Sequence, residues 1–365
     1  MAKRNKKFSA PLTVFLAVLV LALGCVVGFL GAAIYDAATY KSDKIAVSGE
    51  FEIHFLELGN KYTGDCTFIK AGDTDILIDA GSRSSSVPVI AEYIDQYVTD
   101  GKLEYVIVTH AHQDHYAGFA MSEGSIFDLY ECEVIIDFAK TNQKDTGSNM
   151  YSRYLAERAA EIADGGTTHY TAAQCIQEQK AAFDLGGGVT MTVLDSHYYY
   201  NEAPSENDYS VCTLFSYGDH HYLFTGDLEE DGEEHLVAMN DLPQVALYKA
   251  GHHGSKTSSS QALLSVIRPE IVCVCCCCGS PEYTSTNANQ FPTQQFIDRV
   301  APYTDKVYVT TICVNYDKNE FASMNGSIKV VTNAGGVSVV CSNDSRVLRE
   351  WEWFRNNRTC PAAWQ

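Results

Sequence analysis
The stretch Thr109-His110-Ala111-His112-Gln113-Asp114-His115 constrains this chain more than any other. It directly follows Tyr105-Val106-Ile107-Val108, an apolar run with the length and composition of a buried strand, so three imidazoles and a carboxylate are predicted on the loop at a strand's end. Neutral histidine and ionised aspartate are the donors that a borderline cation such as zinc prefers. Along such a turn His110 and His112 can converge on one ion while Asp114 and His115 point to a second, which predicts a two-metal site. A plain polar loop whose histidines bond only water does not account for so dense a set of spaced ligands.

The flanking sequence is strand-rich. Phe51–Leu56, Cys66–Lys70 and Asp75–Asp79 read as strands separated by Gly and Asn turns, and Val87–Val98 carries helical spacing. Strands resume at Val189–Leu194, Ser210–Phe215, His221–Phe224, from Val245, and at Val307–Val314 and Ser327–Val331. Met150–Ala163 and Gln261–Ile267 read as helices. A strand-rich start followed by alternating β and α segments suits sheets covered by helices, an α/β architecture. The polar region from Phe138 to Leu185 carries no ligand cluster and is expected to form a cap or insertion near the site.

Residues 11–34 are uncharged, rich in Leu, Val, Ala and Gly, and long enough to span a bilayer as a helix. Lys3, Arg4, Lys6 and Lys7 lie in the basic segment 1–10 before it, so a single-pass signal anchor with everything after about Asp36 outside the cytoplasm is predicted. A cleaved signal peptide would have a shorter apolar region and a small-residue cleavage site. Leu23-Gly24-Cys25 matches a lipoprotein acceptor only faintly, because apolar residues continue past it. Residues 35–49 then read as a linker, 50–341 as the folded domain and 342–365 as a tail. In that tail, Trp351, Trp353 and Phe354 among arginines suit either a docking helix or an interfacial segment.

The net charge of −20 offers no steering toward polyanions, so nucleic acid is disfavoured as a partner and ranks below other classes. Thirteen cysteines would suggest disulfides in an exported protein. Their number is odd, however, and neighbouring cysteines in Cys273-Val274-Cys275-Cys276-Cys277-Cys278 would alternate faces on a strand, so the four in a row cannot all reach one ion. Ile271–Cys278 is therefore expected to be a central buried strand in which cysteine acts as a small hydrophobe, in preference to a metal or redox cluster.

Thr109 to His115 resembles the His-x-His-x-Asp-His signature of the metallo-β-lactamase superfamily, and further stations of that superfamily follow in order. Ile76-Leu77-Ile78-Asp79-Ala80-Gly81 resembles the early strand whose Asp buttresses the metal loop. Phe224-Thr225-Gly226-Asp227 resembles the later strand whose Asp bridges both ions, and Gly251-His252-His253-Gly254-Ser255 the late histidine motif. Extended through Lys256 to Ser260, this last motif is similar to the ComEC-like branch, which also holds relatives such as phosphorylcholine esterase. The resemblance spans roughly Glu50 to Val340.

The resemblance implies an αββα sandwich of two mixed β-sheets flanked by helices, and two divalent ions, zinc first with manganese as the alternative. It implies His110, His112, Asp114, His115, Asp227 and one of His252 and His253 as ligands. The two late histidines are not separable in sequence; His253 is favoured as the ligand and His252 as the group that meets substrate or leaving group. Asp79 is expected behind the ligand loop, and Asn207, Ser210 and Ser255 behind the ligands or against substrate. Serines before the helix at Gln261 either cap it or leave its positive end for an anionic oxygen.

This chain departs from the superfamily pattern in three places. The region that often supplies a third histidine to the first ion reads Ser205 to Ser210, so that ion is expected to have fewer protein ligands, with His197 as a candidate replacement. A Gly-x-Gly-Asp turn is lengthened to Gly59–Asp65, and Phe291-Pro292-Thr293 stands where a His-Pro is frequent. Both changes bear on substrate identity. His54, His169, His220, His221 and His235 have no partner at ligand spacing and are expected on the surface or in packing.

The expected chemistry is hydrolysis by a water or hydroxide held between two ions, with Asp114 also steering a proton. The branch favours a phosphodiesterase acting on a phosphoester of the cell envelope or a small molecule. The alternatives are an ester, lactone or lactam hydrolase, and a non-catalytic membrane-tethered binding module. The persistence of His110, His112, Asp114, His115 and Asp227 argues against the last. No protein partner is predicted.

Overall fold
The computed structural model describes residues 51–365, all within one unit, Val47–Gln365. The expected membrane-spanning segment 11–34 and the linker before residue 50 lie outside the described residues. Among the described residues no helix is long and apolar enough to cross a membrane.

Two eight-stranded mixed sheets form the centre. The first runs, edge to edge, through Gly336–Cys341, Ile328–Asn333, Phe51–Phe55, Thr67–Ala71, Thr74–Ile78, Lys102–Val108, Glu131–Asp137 and Thr168–Thr171. The second runs through Glu320–Ser323, Val307–Asn315, Ile271–Cys278, Leu247–Lys249, His220–Phe224, Thr213–Tyr217, Val189–Val193 and Ala182–Asp184. In each sheet four consecutive strands are parallel and the others antiparallel: Thr74–Ile78 through Thr168–Thr171 in the first, and His220–Phe224 through Val307–Asn315 in the second.

The period-two pattern of Phe51-Glu52-Ile53-His54-Phe55 explains how the layers meet. Phe51 and Phe55 face the second sheet, with ring centroids 5.0 Å from Tyr222 and 6.1 Å from Phe224 respectively. His54 points the other way, into Tyr93 and Tyr97 around the helix Ser86–Ile94. Each fully buried aromatic of the inter-sheet layer stabilises the fold by roughly 1.5–3 kcal/mol. Both faces of both sheets are thus covered, as an αββα sandwich requires.

Ile271–Cys278 is the expected central strand, buried along its whole length between two parallel neighbours. Its faces alternate. Ile271, Cys273 and Cys275 join the inter-sheet core, while Val272, Val274, Cys276 and Cys278 pack under the outer helices. Every described cysteine is free, and burial pushes the thiols of this strand upward.

Several expectations needed correction. The region 138–185 is more than a cap, because Thr168–Thr171 extends the first sheet and Ala182–Asp184 forms an edge of the second. These strands have three or four residues, too short to show a period. The tail is a docked segment: Leu348, Phe354 and Trp364 are buried in the core beneath the second sheet, around the short helix Glu352–Asn357.

Candidate metal centre
The site lies at the carboxyl ends of the parallel strands, where loops from both sheets converge. Lys102–Val108 ends in Thr109–His115, whose last residues begin the single turn Gln113–Tyr116. Asp79 leaves the neighbouring strand with φ +59° and turns its carboxylate under that loop. One oxygen accepts from the Thr109 amide at 2.8 Å, and the other accepts from the Thr109 hydroxyl and from His115 Nδ1, both at 2.8 Å. The proton of His115 is thereby held on Nδ1, and its Nε2 is aimed at Asp227 Oδ2, 3.2 Å away.

Asp227 comes from the other sheet, at the end of His220–Phe224. Gly226 before it sits at φ +55°, and a Cβ there would come within 2.7 Å of Ser210 Oγ, so the turn requires glycine. Ser210 Oγ accepts from the Asp227 amide at 3.0 Å and lies 3.4 Å from His110 Nδ1. His252 and His253 both hold left-handed backbone, φ +46° and +54°, a strained conformation for residues with a Cβ. That strain aims His253. Its Nδ1 donates to the Cys275 carbonyl at 2.8 Å, and its Nε2 lies 3.2 Å from Asp114 Oδ2 and 3.3 Å from Asp227 Oδ2.

The structure separates the two late histidines. His253 is buried in this cluster. His252 sits at the rim, where its Nδ1 meets Thr257 Oγ1 at 3.1 Å and Glu229 Oε1 at 3.4 Å. His110 and His112 form a pair beside the cluster, Nε2 to Nδ1 at 3.0 Å. Burial, with His115 next to it, holds His110 well below the ordinary imidazole range.

Whether these residues suit a divalent cation can be judged from the atoms left without partners. His115 Nε2, His253 Nε2 and Asp227 Oδ1 are buried and make no hydrogen bond. Ligand atoms of Asp65, His115, Asp227 and His253 all lie within 4.8 Å of one another. Burial alone would lower the pKa of His115 and His253, yet the surrounding carboxylates outweigh it and hold both well above the ordinary value. A cluster that draws in positive charge so strongly, through convergent N and O donors, fits a borderline divalent metal.

The Metallo-beta-lactamase superfamily matches residues 59–165. Over these residues the chain is similar to that superfamily. Members of that superfamily are generally metal-dependent hydrolases. The chain is similar to Recombination protein 2 of Haemophilus influenzae, at 25% identity over 72% of this chain, and to ComE operon protein 3 of Bacillus subtilis, at 26% over 61%. Both are of the ComEC-like kind. This chain spans 28% of the length of each. Similar solved structures include the metallo-beta-lactamase fold protein YhfI of Bacillus subtilis, at 13% identity over 72% of this chain and 96% of that one with a TM-score of 0.42. Human tRNase Z, short form, is another, at 13% identity over 74% and 98% with a TM-score of 0.34.

Two groups at this centre stand at no ligand spacing in the sequence. Asp65 ends the lengthened Gly59–Asp65 turn and reaches the ligand cluster, 3.3 Å from His253 Nδ1. Lys249 ends the Leu247–Lys249 strand, fully enclosed, ion-paired with Asp65 and 4.0 Å from Asp227 Oδ1. That ammonium already engages Asp65, while Asp114 Oδ2 lies 3.2 Å from His253 Nε2. The one signal in sequence was a lysine inside an apolar run directly before Gly-His-His-Gly.

Other expected residues fall into place differently. Asn207 donates to Glu229 at 3.0 Å and lies 3.5 Å from His252, at the rim. Ser255 bonds Thr257 and so braces the loop that holds His252. The start of helix Gln261–Ile267 is not open to an anionic oxygen. The buried Glu233 carboxylate already accepts from the amides of Ser259 and Ser260, at 2.7 and 2.6 Å. His197 is also not at the centre: it stacks on His235 at 4.2 Å and bonds Asn201.

Above the centre opens a cavity of about 480 Å³. His112, Asp114, Asp227 and His252 line one side of it, and Arg83, Tyr283 and Phe291 another. Tyr283 donates its hydroxyl to Asp114 Oδ2 at 2.7 Å, and desolvation of that hydroxyl together with the carboxylate raises its phenol, which stays a donor.

Proposed function
We propose that this protein is a membrane-anchored, metal-dependent phosphodiesterase. The observation that carries the reading is the convergence of the unpartnered His115, His253 and Asp227 atoms, beside Asp114, at the floor of an open cavity. Asp114, His115, Asp227 and His253 would hold one ion, and His110 and His112 with Asp227 the other. Bound there, divalent ions such as zinc lower the pKa of water and polarise a phosphoryl oxygen.

The remaining work belongs to the chain. Asp79 keeps the His115 proton on Nδ1, and Cys275 does the same for His253, so both present Nε2. His252 has Nδ1 engaged by Thr257 and Glu229, which leaves Nε2 to give a proton to a leaving oxygen. Arg83 at the cavity wall suits an anionic substrate. The ComEC-like relatives favour a phosphoester over a lactone or lactam, and the acidic surface favours an envelope phosphodiester or a small molecule over long nucleic acid. Residues 11–34 would tether the enzyme, with the hydrolase domain outside the cytoplasm.

The test is metal content together with turnover of a chromogenic phosphodiester, a choline-bearing phosphodiester, a lactone and a cephalosporin. Phosphodiester turnover that is abolished by chelation and by Asp227→Ala supports the reading. Turnover confined to the lactone or the cephalosporin replaces it with the ester or lactam alternative, and turnover that survives thorough chelation defeats the metal mechanism.

A further inference from the structure
One wall of the cavity is a segment, residues 279–293, running from the end of the Ile271–Cys278 strand to the helix Gln294–Val300. Three of its side chains reach the centre or its rim. Glu282 pairs with Arg83 at 3.0 Å and accepts the Thr63 amide at 2.8 Å. Tyr283 donates to Asp114, and the Phe291 ring lies 5.7 Å from His252 and 5.8 Å from His253. The segment's only regular structure is the short turn Asn287–Asn289, so no ladder of its own fixes these positions.

The end of the chain does so. Arg358 is only 9% exposed, and its guanidinium donates to the carbonyls of Pro292 at 2.9 Å, Gln290 at 2.6 Å and Asn287 at 3.3 Å, and to the Asn287 side chain at 3.1 Å. The Trp353 ring lies 4.6 Å from the guanidinium and fills the space at Gly279, where a Cβ would come within 2.4 Å of its Nε1. Asn357 accepts from Asn287 at 2.9 Å, and Thr359 exchanges two hydrogen bonds with Gln294, at 2.7 and 2.9 Å. A buried cation is costly unless its donors are satisfied, and here four of them go to one loop and none to either sheet. The planar five-donor fork of arginine can hold several carbonyls at once; a lysine cannot.

We propose that Arg358 is a positioning residue: it clamps the 279–293 loop so that Tyr283 and Phe291 wall the cavity, and thereby sets how substrate is held. The role toward substrate rests on the hydrolase reading above, whereas the clamp is a property of the free protein.

The test compares the full chain with its Arg358→Ala variant in three measurements: amide hydrogen exchange, metal content, and turnover of bis(p-nitrophenyl) phosphate. Exchange across 279–293 should accelerate about tenfold or more, the scale of one lost charged hydrogen bond, while the Lys102–Val108 strand is unaffected. Metal content should hold, and kcat/KM should fall about 10–100-fold, mainly through KM, as for an ångström-scale misplacement. Added guanidinium ion should restore part of both losses, and Arg358→Lys should behave like the alanine variant. If Arg358→Ala does not fold, Asn287→Ala at an exposed position removes one acceptor of the clamp and should give the same pattern more weakly. Unchanged loop exchange and KM at parental metal content overturn the proposal. So does a uniform rise in exchange across both sheets without guanidinium rescue, which would mean a merely structural arginine. A parent inactive on phosphodiesters defeats the phosphodiesterase reading instead, and loop exchange with guanidinium rescue then decides the clamp alone.

Discussion

Replacing Asp79 by asparagine should weaken metal binding without touching a ligand. The carboxylate accepts three hydrogen bonds at 2.8 Å, from the Thr109 amide, the Thr109 hydroxyl and His115 Nδ1. An amide of the same shape has one acceptor oxygen. That oxygen stays with the Thr109 amide, which can only donate, so the new NH2 group faces the hydroxyl and His115 Nδ1. The hydroxyl can turn and accept, but the imidazole must move its proton to Nε2, the nitrogen aimed at Asp227. Binding a cation through Nε2 then forces an N–H to face an N–H at Nδ1, which costs about 1–3 kcal/mol. Zinc affinity should therefore fall about 10–100-fold, the usual range for a lost support behind a ligand. Competition against a chromophoric zinc chelator measures the affinity, and ¹⁵N shifts of His115 report its tautomer. Asp79→Ala leaves the Thr109 amide unsatisfied as well and should add a drop in melting temperature. Parental zinc affinity in a folded Asp79→Asn protein would refute the tautomer argument.

Three further outcomes are expected. Burial pushes Glu233 up to about 7, above its ordinary 4.5, so its contribution to stability is full below pH 4.5 and is lost as pH rises through 7. The change is on the order of 3 kcal/mol, visible in melts from pH 4.5 to 7 and flattened in Glu233→Gln; an identical slope in that variant would be contrary. Mild alkylation of the native protein, read by mass spectrometry, should modify Cys313, Cys341 and Cys360 before Cys273 and Cys275–Cys278, whose thiols are buried and raised. His197→Ala should leave metal stoichiometry unchanged, because that ring stacks on His235; loss of one equivalent would place it at the centre after all.

Much of the fold was legible because its signals are local. An apolar run ending in a dense set of imidazoles and carboxylate at Thr109–His115 reports both a strand and the chemistry at its end. Asp79 and Asp227 likewise announce themselves at strand ends, and the four adjacent cysteines exclude a single shared ion by alternation alone. Burial along Ile271–Cys278 follows from an uncharged run of eight residues. The short strands Thr168–Thr171 and Ala182–Asp184 carry no such period, and their neighbours in the sheets create them.

By itself, then, the sequence determined which metal-competent side chains gather and the strands that carry them, since both are written in contiguous residues. Tertiary structure alone decided how the centre is closed. Lys249 looks like a surface residue until parallel pairing on both sides encloses it, and Asp65 reaches His253 only because a lengthened turn from the first sheet meets a loop of the second. Glu233 takes the helix start that serines alone would have left to an anion, and Tyr283 reaches Asp114 on a loop that Arg358 clamps from the end of the chain. Each of these contacts joins residues far apart in sequence. Their partners are set by sheet register and layer packing, which no local pattern encodes.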